Sequence, residues 1–274
     1  MKIAIIGLGF VGTAMYRSFK EKNVELVCYD KYKDECSSDE HFKDCLTSDV
    51  MFLCLPTKYI SGNGSYDIAP IVETCIRLSD SEYSGVVVIK STVEPHTTNK
   101  LQTQFTSLSF VHNPEFLKAV SAFEDFHSQR HIVLGKSERC CDESLQKVVS
   151  FYETYYSSAR ISVCSCLESE SMKLFCNSFY AVKIQFFTEM YELCKKNGCD
   201  FERVKEMMLG NNCIHSAYTQ IPGPDGQTSY GGLCFPKDTN ALAKYMERMG
   251  TPHQVIDAVI RERNEIRTDH LNCE

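Results

Sequence analysis

The sequence lacks a surplus of positive charge, the close cysteine pairs of zinc sites and any long apolar run. Its 29 Lys and Arg residues are outnumbered by 36 Asp and Glu residues, which gives a formal net charge of −7. This balance argues against general binding to nucleic acid or to an anionic membrane, so neither is expected as a partner. No apolar stretch approaches the roughly 18 residues that a membrane-spanning helix requires.

The 15 cysteines are odd in number, and none of them forms a C-x-x-C pair. The closest spacings are Cys140-Cys141 and Cys164-Ser165-Cys166, which do not match zinc-ligand spacing, so no metal site is expected. The first residues, MKIAIIGLGFVG, run directly into a predicted strand and a glycine turn, which leaves no room for a signal or transit peptide. We therefore expect reduced thiols in a cytoplasmic protein, most of them small side chains in the core.

Short apolar runs alternate with amphipathic segments over roughly the first 165 of the 274 residues. Continuous Val, Ile and Leu runs are typical of strands covered on both faces, so this part predicts an α/β domain with a Rossmann-like, doubly wound parallel sheet. The predicted strands are 2–6, 26–29, 50–55, 86–90, 109–111, 132–134 and 161–163. The predicted helices between them include 11–22, 68–78 and 144–155.

Residues 167–196 contain neither Gly nor Pro, and apolar residues recur there at steps of three and four. This pattern predicts one long central helix, ended by Asn197-Gly198. Because its apolar positions spread around the axis, we expect burial on more than one side, and hence a homodimer through this helix. Further helices are predicted at 201–209, 236–248 and 252–268. The expected domains are therefore an α/β domain over 1–165 and an all-helical dimerisation domain over 166–274.

A glycine-rich turn follows the first predicted strand directly and opens a helix. In a dinucleotide fold its first glycine permits the turn, its second lets a pyrophosphate approach the backbone, and its third lets helix and strand pack closely. Asp30, at the end of the second predicted strand, is placed to accept both ribose hydroxyls and to repel a 2′-phosphate, which favours NAD over NADP. A tight turn without a ligand is the alternative. The predicted cofactor residues here are Gly7, Gly9, Phe10, Val11, Gly12 and Asp30.

Six further motifs follow along the chain: LPT at 55–57, KSTVEPHTT at 90–98, HNPEFL at 112–117, ESMK-x-x-x-N at 170–177, PGPDG at 222–226 and GGLCFPKD at 231–238. In this order they closely resemble the UDP-glucose/GDP-mannose dehydrogenase family over essentially the whole sequence. The combination of NPEFL with GG-x-CF-x-KD is the most specific part of the resemblance.

The resemblance implies a four-electron oxidation of UDP-glucose to UDP-glucuronate, with two NAD⁺ consumed in turn. The sugar aldehyde would be held on Cys234 as a thiohemiacetal and then as a thioester, since a thiol is the natural nucleophile for this route. Positive charge near a thiol favours the thiolate, and Lys173 and Lys237 are the available cations. Lys173 and Asn177 are one helical turn apart and would stabilise the developing oxyanion. Asp238 would assist proton transfer.

The resemblance also assigns the remaining positions of the site. Glu115 matches the base for thioester hydrolysis, and Thr92 matches its partner in positioning water. The nicotinamide end would be lined by Pro56, Thr57, Ser91 and Thr92, with Lys237 also near the cofactor. The substrate would be held by Glu115, Phe116, Leu117, Lys118, Lys173, Asn177, Tyr230, Gly231 and Cys234.

Each of these residues also has a plain structural interpretation. The pair formed by Lys173 and Asn177 could be a solvated helix face, and Glu115 could be a first-turn acid after Pro114. Gly231 and Gly232 could end a loop, with Cys234 packed inward. Six motifs in the family's order favour one shared site over separate coincidences.

The chain departs from the family's pattern in three ways. Ala119 occupies a position that usually holds a second glutamate, and Cys213-Ile214 aligns with an Arg-Ile step whose arginine reaches a neighbouring subunit's substrate. A thiol does not replace a guanidinium clamp. The family also continues into a further domain that holds the uridine nucleotide, so weak substrate affinity and a high KM are expected.

Three alternatives remain open. The substrate could be another nucleotide sugar, such as a UDP-N-acetylhexosamine or GDP-mannose. The chain could be a two-electron 3-hydroxyacid dehydrogenase of the 6-phosphogluconate type, which has no need of Cys234. It could also be a non-catalytic NAD-binding subunit. Ala119 and Cys213 favour this interpretation, whereas the intact residues Lys173, Asn177, Cys234 and Asp238 oppose it.

Overall fold

The computed structural model describes residues 1–267 and residue 269. The chain divides into two compact units. The first unit comprises residues 1–57 and 67–173, and the second comprises residues 58–66 together with the described residues from 174 onward. The domain boundary expected at 165/166 stays a prediction.

Nine strands account for the β-structure of the described residues. Seven of them form one sheet in the first unit, and two short ones form a hairpin in the second unit. The strands are β1 (Lys2–Ile6), β2 (Glu25–Tyr29), β3 (Val50–Leu53), β4 (Tyr59–Ile60), β5 (Ser65–Tyr66), β6 (Val86–Ile89), β7 (Ser109–His112), β8 (His131–Lys136) and β9 (Arg160–Ser165). The seven predicted strands are all present, whereas no sequence pattern indicated the hairpin.

The sheet has the order β2-β1-β3-β6-β7-β8-β9. Neighbouring strands are parallel, as predicted, except that β7 and β8 pair antiparallel. The expectation of an entirely parallel sheet was therefore wrong at this one pair. Parallel pairing requires a crossover, whereas the chain between β7 and β8 returns alongside the strand that it has left. The Rossmann-like α/β class is confirmed.

Ten α-helices connect and follow these strands within the described residues. The predicted helices are present with ends shifted by at most two residues, and three short ones (α2, α4 and α5) were not predicted. One predicted end, at Thr268, lies outside the described residues. The helices are α1 (Phe10–Glu21), α2 (Asp39–Cys45), α3 (Ala69–Asp80), α4 (Thr97–Gln104), α5 (Ala122–His127), α6 (Asp142–Tyr155), α7 (Cys166–Asn197), α8 (Phe201–Gly210), α9 (Phe235–Arg248) and α10 (Gln254–Ile266).

The sheet of the first unit is buried on both faces. Alternate residues of its strands enter two separate apolar clusters, so that in β1 Ile3 and Ile5 belong to one cluster and Ala4 and Ile6 to the other. This is the arrangement expected of a doubly wound sheet, whose strands are covered by helices on each face. Phe19 of α1 lies at the centre of the first cluster and makes ring contacts with four aromatic neighbours.

The second unit is helical apart from its hairpin. Its helix α7 carries large apolar side chains that are exposed in this chain, namely Phe175, Phe179, Phe186 and Leu193, at 47–62%. Another face of the same helix is buried through Phe187 and Ala181. Among the described residues no helix combines the length and the apolar character needed to cross a bilayer.

No disulfide links the fourteen cysteines of the described residues. Six of them are buried and four are exposed, namely Cys141, Cys199, Cys213 and Cys234. The expectation that most cysteines fill the core was thus too broad, because the exposed ones lie at helix ends and in the loop after α8.

Candidate active site

The glycine-rich turn between β1 and α1 is shaped by its three glycines. Gly7 has φ +90, and a Cβ there would lie 2.6 Å from the Cys54 carbonyl oxygen. A Cβ on Gly12 would lie 1.9 Å from the carbonyl oxygen of Gly7, whereas one on Gly9 would meet nothing within 4 Å. Gly7 and Gly12 are therefore required by the fold, and Gly9 leaves open space through which a ligand can approach the backbone.

Asp30 is directly connected to this turn. Its carboxylate accepts hydrogen bonds from the backbone N–H of Leu8 at 2.6 Å and of Tyr32 at 2.9 Å. Helix α1 begins at Phe10, and its N-cap Gly9 has no side chain to satisfy the first N–H groups. These donors and the positive end of the helix dipole form an anion site, and the carboxylate beside them suits a ribose.

A cleft of about 540 Å³ lies next to the turn in the first unit. One wall comes from Gly9, Phe10 and Arg17 of the turn and α1, and the other from residues 119–124. Ala119 is one of the lining residues, so the position where the family usually has a glutamate faces this cleft. The cleft adjoins both the open position at Gly9 and the uncapped N-terminus of α1, where the phosphates of a dinucleotide would bind.

The ends of β3 and β6 carry the residues predicted for the nicotinamide end. The Ser91 hydroxyl donates to the carbonyl oxygen of Leu55 at 2.6 Å and accepts from its N–H at 3.0 Å. The Thr57 hydroxyl donates to the carbonyl oxygen of Thr92 at 2.7 Å. The structure thus joins the 55–57 and 90–92 segments at the carboxyl edge of the sheet, where α/β folds bind ligands.

Glu115 and Lys173 form a buried ion pair in the first unit. Lys173 Nζ lies 3.2 Å from Glu115 Oε1 and also donates to the carbonyl oxygen of Glu115, and the two side chains are only 4% and 11% exposed. The other carboxylate oxygen accepts from the N–H of Leu117 at 2.6 Å. The ammonium lies 5.2 Å from the ring centre of Phe116. The helix lysine therefore fixes the conformation of the loop that carries Glu115, Phe116 and Leu117.

A buried polar network below this loop was not foreseen from the sequence. Lys90 Nζ donates to Asn113 Oδ1 at 3.1 Å and to the carbonyl oxygen of Pro114 at 3.4 Å, and the Tyr152 hydroxyl donates to Asn113 Oδ1 at 2.5 Å. Burial lowers the pKa of Lys90 to about 8. The sequence did contain one signal for this network, because Lys90 ends an otherwise apolar predicted strand. A charge buried at such a position needs hydrogen-bond partners.

His112, at the end of β7, is also buried. Its Nδ1 lies 2.6 Å from the Ser169 hydroxyl. Burial is the main cause that lowers the pKa of His112 to about 3, and the nearby Lys90 charge acts in the same direction. This histidine is therefore a neutral packing residue.

Asp238 is the centre of a polar cluster in the second unit. Its carboxylate is fully buried and accepts hydrogen bonds from Asn177 Nδ2 on one oxygen, at 2.6 Å, and from Lys237 Nζ on the other, also at 2.6 Å. The Tyr66 hydroxyl of the hairpin donates to the same oxygen as Lys237. Asn177 and Asp238 are thus brought together as predicted, and Tyr66 is an addition that no motif indicated.

Cys234 is the N-cap residue of α9, and it is exposed. Its carbonyl oxygen accepts from the N–H of Asp238 at 3.0 Å, so the thiol and the carboxylate share the first turn of one helix. A thiol at a helix N-terminus is stabilised as the thiolate. Lys173 and Lys237, the cations predicted to favour the thiolate, are each paired with a carboxylate. The N-terminus of α9 is a further source of positive potential, which was not predicted.

Tyr230 and Gly231 are held by two buried arginines. The Tyr230 ring packs with Ala181 and Val259, and Arg263 Nε donates to its carbonyl oxygen at 3.3 Å. A Cβ on Gly231 would lie 2.3 Å from the Arg267 guanidinium. The Tyr230 ring belongs to the core, and the expected part of this residue in substrate binding stays a prediction. The arginines that fix this loop were missed.

The predicted site residues divide between the two units. The first unit holds Gly7, Gly9, Phe10, Val11, Gly12, Asp30, Pro56, Thr57, Ser91, Thr92, Glu115, Phe116, Leu117, Lys118 and Lys173. The second unit holds Asn177, Tyr230, Gly231, Cys234, Lys237 and Asp238. Within each unit some of these residues contact one another: Thr57 with Thr92 and Lys173 with Glu115 in the first, and Asn177 and Lys237 with Asp238 in the second. The roles assigned to all of them stay predictions.

Comparison with known proteins agrees with these features. Residues 35–155 match the NAD binding domain of the UDP-glucose/GDP-mannose dehydrogenase family, and residues 167–265 match the central domain of the same family. The glycine-rich turn precedes the first matched range. Together the two ranges cover most of the chain.

Individual relatives give the same result. The chain is 27% identical to UDP-glucose 6-dehydrogenase of Rickettsia bellii, over 97% of this chain and 67% of the relative. It is similar to a UDP-glucose dehydrogenase structure from Pyrobaculum islandicum, with a TM-score of 0.79 and 25% identity, over 96% of this chain and 68% of that one. A 3-hydroxyisobutyrate dehydrogenase from Mycobacterium tuberculosis shares the fold, with a TM-score of 0.74, 16% identity, and coverage of 99% and 95%.

The chain spans about two thirds of the length of the curated relatives that it matches. Both of its matched ranges come from a single family, and the first of them is that family's NAD binding domain. The cofactor predicted from Asp30 and the glycine turn is thereby confirmed. The chain is an NAD-binding member of the UDP-glucose/GDP-mannose dehydrogenase family.

Proposed function

We propose that this protein oxidises the primary hydroxyl of a nucleotide sugar, UDP-glucose, to the carboxylate, with two NAD⁺ reduced per sugar. The observation that carries the proposal is the first turn of α9. There the exposed thiol of Cys234 stands at the helix N-terminus, one turn before a buried carboxylate that Asn177 and Lys237 hold. A two-electron alcohol dehydrogenase has no use for a nucleophile at this place.

The reaction divides into two oxidations and a hydrolysis. NAD, when bound at the glycine turn, accepts a hydride in each oxidation. After the first oxidation the Cys234 thiolate adds to the aldehyde carbon, and the oxygen takes up a proton to give a thiohemiacetal. The second oxidation removes a hydride and a proton, which leaves a thioester. Water then releases the carboxylic acid and restores the thiol, so atoms and electrons balance.

The residues of the second unit suit the thiol chemistry. Oxygen charge develops when sulfur adds to the aldehyde, and the Asn177 amide is a donor for it. Asp238 accepts or returns the hydroxyl proton, and Asn177 and Lys237 hold its carboxylate in place.

The first unit contributes the residues proposed for hydrolysis. Glu115 acts as the base that takes a proton from the attacking water, and Thr92 positions that water. Lys173 holds Glu115 by an ion pair of 3.2 Å and adds a positive charge that stabilises the oxyanion. The 115–118 loop is proposed to hold the substrate.

The substrate assignment rests on the relatives. The Rickettsia bellii and Pyrobaculum islandicum proteins are named for UDP-glucose, which supports this sugar for the present chain. The family's name also includes GDP-mannose, so GDP-mannose and UDP-N-acetylhexosamines are the alternative substrates. A 3-hydroxyacid dehydrogenase shares the fold but would leave Cys234 without a function.

The exposed face of α7 supports a homodimer. Four large apolar side chains, Phe175, Phe179, Phe186 and Leu193, are about half exposed on this one helix. Large apolar patches on a surface favour protein–protein association. We also propose that the protein is cytoplasmic, because the fourteen cysteines of the described part of the chain form no disulfide and would stay reduced there.

The test is NADH formation by the purified protein with a panel of UDP-glucose, UDP-N-acetylglucosamine, GDP-mannose and a 3-hydroxyacid, each at millimolar concentration. We expect turnover with UDP-glucose, and no more than one NADH per sugar for Cys234→Ser. Cys199→Ser, which changes another exposed cysteine of the same unit, is the matched control and should behave as the wild type. Turnover of the 3-hydroxyacid alone, or no NADH with any compound, would refute the proposal.

A further inference from the structure

The hairpin β4–β5 is inserted in sequence between β3 and α3 of the first unit, yet it belongs to the second unit. Tyr59 and Tyr66 face each other across its two strands, and both are buried. The hairpin packs on α9, where Arg248 donates to the carbonyl oxygen of Gly64 at 2.7 Å. A short inserted segment is thereby held against the helix that begins directly after Cys234.

Tyr66 reaches the carboxylate proposed for proton transfer. Its hydroxyl donates to Asp238 Oδ1, and its ring lies 4.6 Å from Lys237 Nζ. Lys237 also donates to Oδ1, whereas Asn177 donates to Oδ2. Tyr66 therefore contacts both members of the Lys237–Asp238 ion pair, once by a hydrogen bond and once by its ring face.

The distribution of these donors decides which oxygen can react. A carboxylate has about four acceptor positions, two on each oxygen. Tyr66 and Lys237 together fill both positions on Oδ1, and Asn177 fills one on Oδ2. The position left for a substrate hydroxyl or a water is then on Oδ2, beside the Asn177 amide.

We propose that Tyr66 is a positioning residue for the oxidation, which fixes the orientation of the Asp238 carboxylate and directs its reactive position to Oδ2. This inference rests on the proposed function. Without the phenol hydroxyl, the carboxylate loses one of two donors on Oδ1 and can rotate, so that proton transfer becomes slower.

The kinetic test compares Tyr66→Phe with Tyr59→Phe, which removes a hydroxyl from the opposite position of the same hairpin. With UDP-glucose and NAD⁺ we expect Tyr66→Phe to lower kcat roughly tenfold, with KM changed less than about twofold. We also expect a larger solvent deuterium isotope effect on kcat, because proton transfer becomes slower. A purely structural role would lower the active fraction but leave the isotope effect unchanged.

The contact itself is tested without any assay of activity. Urea unfolding midpoints are measured for the wild type, Tyr66→Phe, Asp238→Asn and the double variant. Because a hydrogen bond to a charged group is stronger than one to a neutral amide, loss of the hydroxyl should lower the midpoint less in the Asp238→Asn background. If Asp238→Asn does not fold, Lys237→Met serves as the background. In that background, removal of the Tyr66 hydroxyl should lower the urea midpoint more than it does in the wild type.

The outcomes separate the two proposals. Coupled unfolding together with a lower kcat and a larger solvent isotope effect supports the role of Tyr66. Additive unfolding effects, or coupling with an unchanged kcat or an unchanged isotope effect, overturn it while UDP-glucose turnover by the wild type still stands. An inactive wild type refutes the proposed function and with it the role of Tyr66, even where the unfolding cycle shows that the contact exists.

Discussion

The buried ion pair between Lys173 and Glu115 leads to the most informative substitution, Lys173→Ala. The side chains of Lys173 and Glu115 are 4% and 11% exposed, and Lys173 also donates to the Glu115 backbone carbonyl. Removing one partner of a buried pair costs roughly 3–5 kcal/mol, because the other charge stays buried without compensation. For a chain of this size that loss lowers Tm by roughly 10 °C.

The matched control is Lys195→Ala on the same helix. Lys195 pairs with Glu192 at 3.4 Å, but these side chains are 57% and 47% exposed. Exposed pairs of this spacing contribute about 0.3–0.5 kcal/mol, so the control should shift Tm by no more than about 2 °C.

The same two variants separate stability from activity. If Lys173 stabilises an oxyanion, Lys173→Ala lowers kcat by roughly 10²–10³ at a temperature where the variant is still folded. Thermal unfolding by circular dichroism and initial NADH rates with UDP-glucose measure the two effects. Equal Tm values for both variants would refute the burial argument, and an unchanged kcat would refute the catalytic one.

Three further predictions concern the first unit. Gly12→Ala should destabilise the first unit by several kcal/mol, since the added Cβ would lie 1.9 Å from the Gly7 carbonyl oxygen. Gly9→Ala should leave Tm unchanged, because its Cβ meets nothing within 4 Å, but should weaken NAD⁺ binding in a titration. Asp30→Asn keeps an acceptor for the Leu8 N–H but removes the charge, so kcat/KM for NADP⁺ relative to NAD⁺ should rise roughly tenfold; an unchanged ratio would contradict the ribose role. His112 has its pKa lowered to about 3, so the unfolded chain binds more protons between pH 6.5 and 3, and stability should fall as pH falls through that range. The fall should be smaller in His112→Gln, and identical urea midpoints across pH would contradict this.

The features best predicted from sequence are those encoded by contiguous residues. The glycine turn joins strand, turn and helix within a short segment, so its role could be assigned from the residues of that segment alone. The long helix α7 was equally clear, because its residues lack Gly and Pro and repeat at the helical period.

Features that depend on tertiary pairing were missed. The strands of the hairpin are two residues long, which is too short for a period, so Tyr66 carried no signal of its own. The antiparallel pairing of β8 depends on the path of the chain between two strands of ordinary composition. The burial of Lys90 and the position of Tyr230 in the core likewise depend on neighbours remote in sequence.

The most direct test of the central claim is the number of NADH molecules formed per UDP-glucose consumed by the wild-type chain, with the product identified by mass spectrometry. A nucleophilic thiol at position 234 predicts two NADH and UDP-glucuronate. One NADH with release of the aldehyde would show that Cys234 does not carry the second oxidation, and would contradict the account.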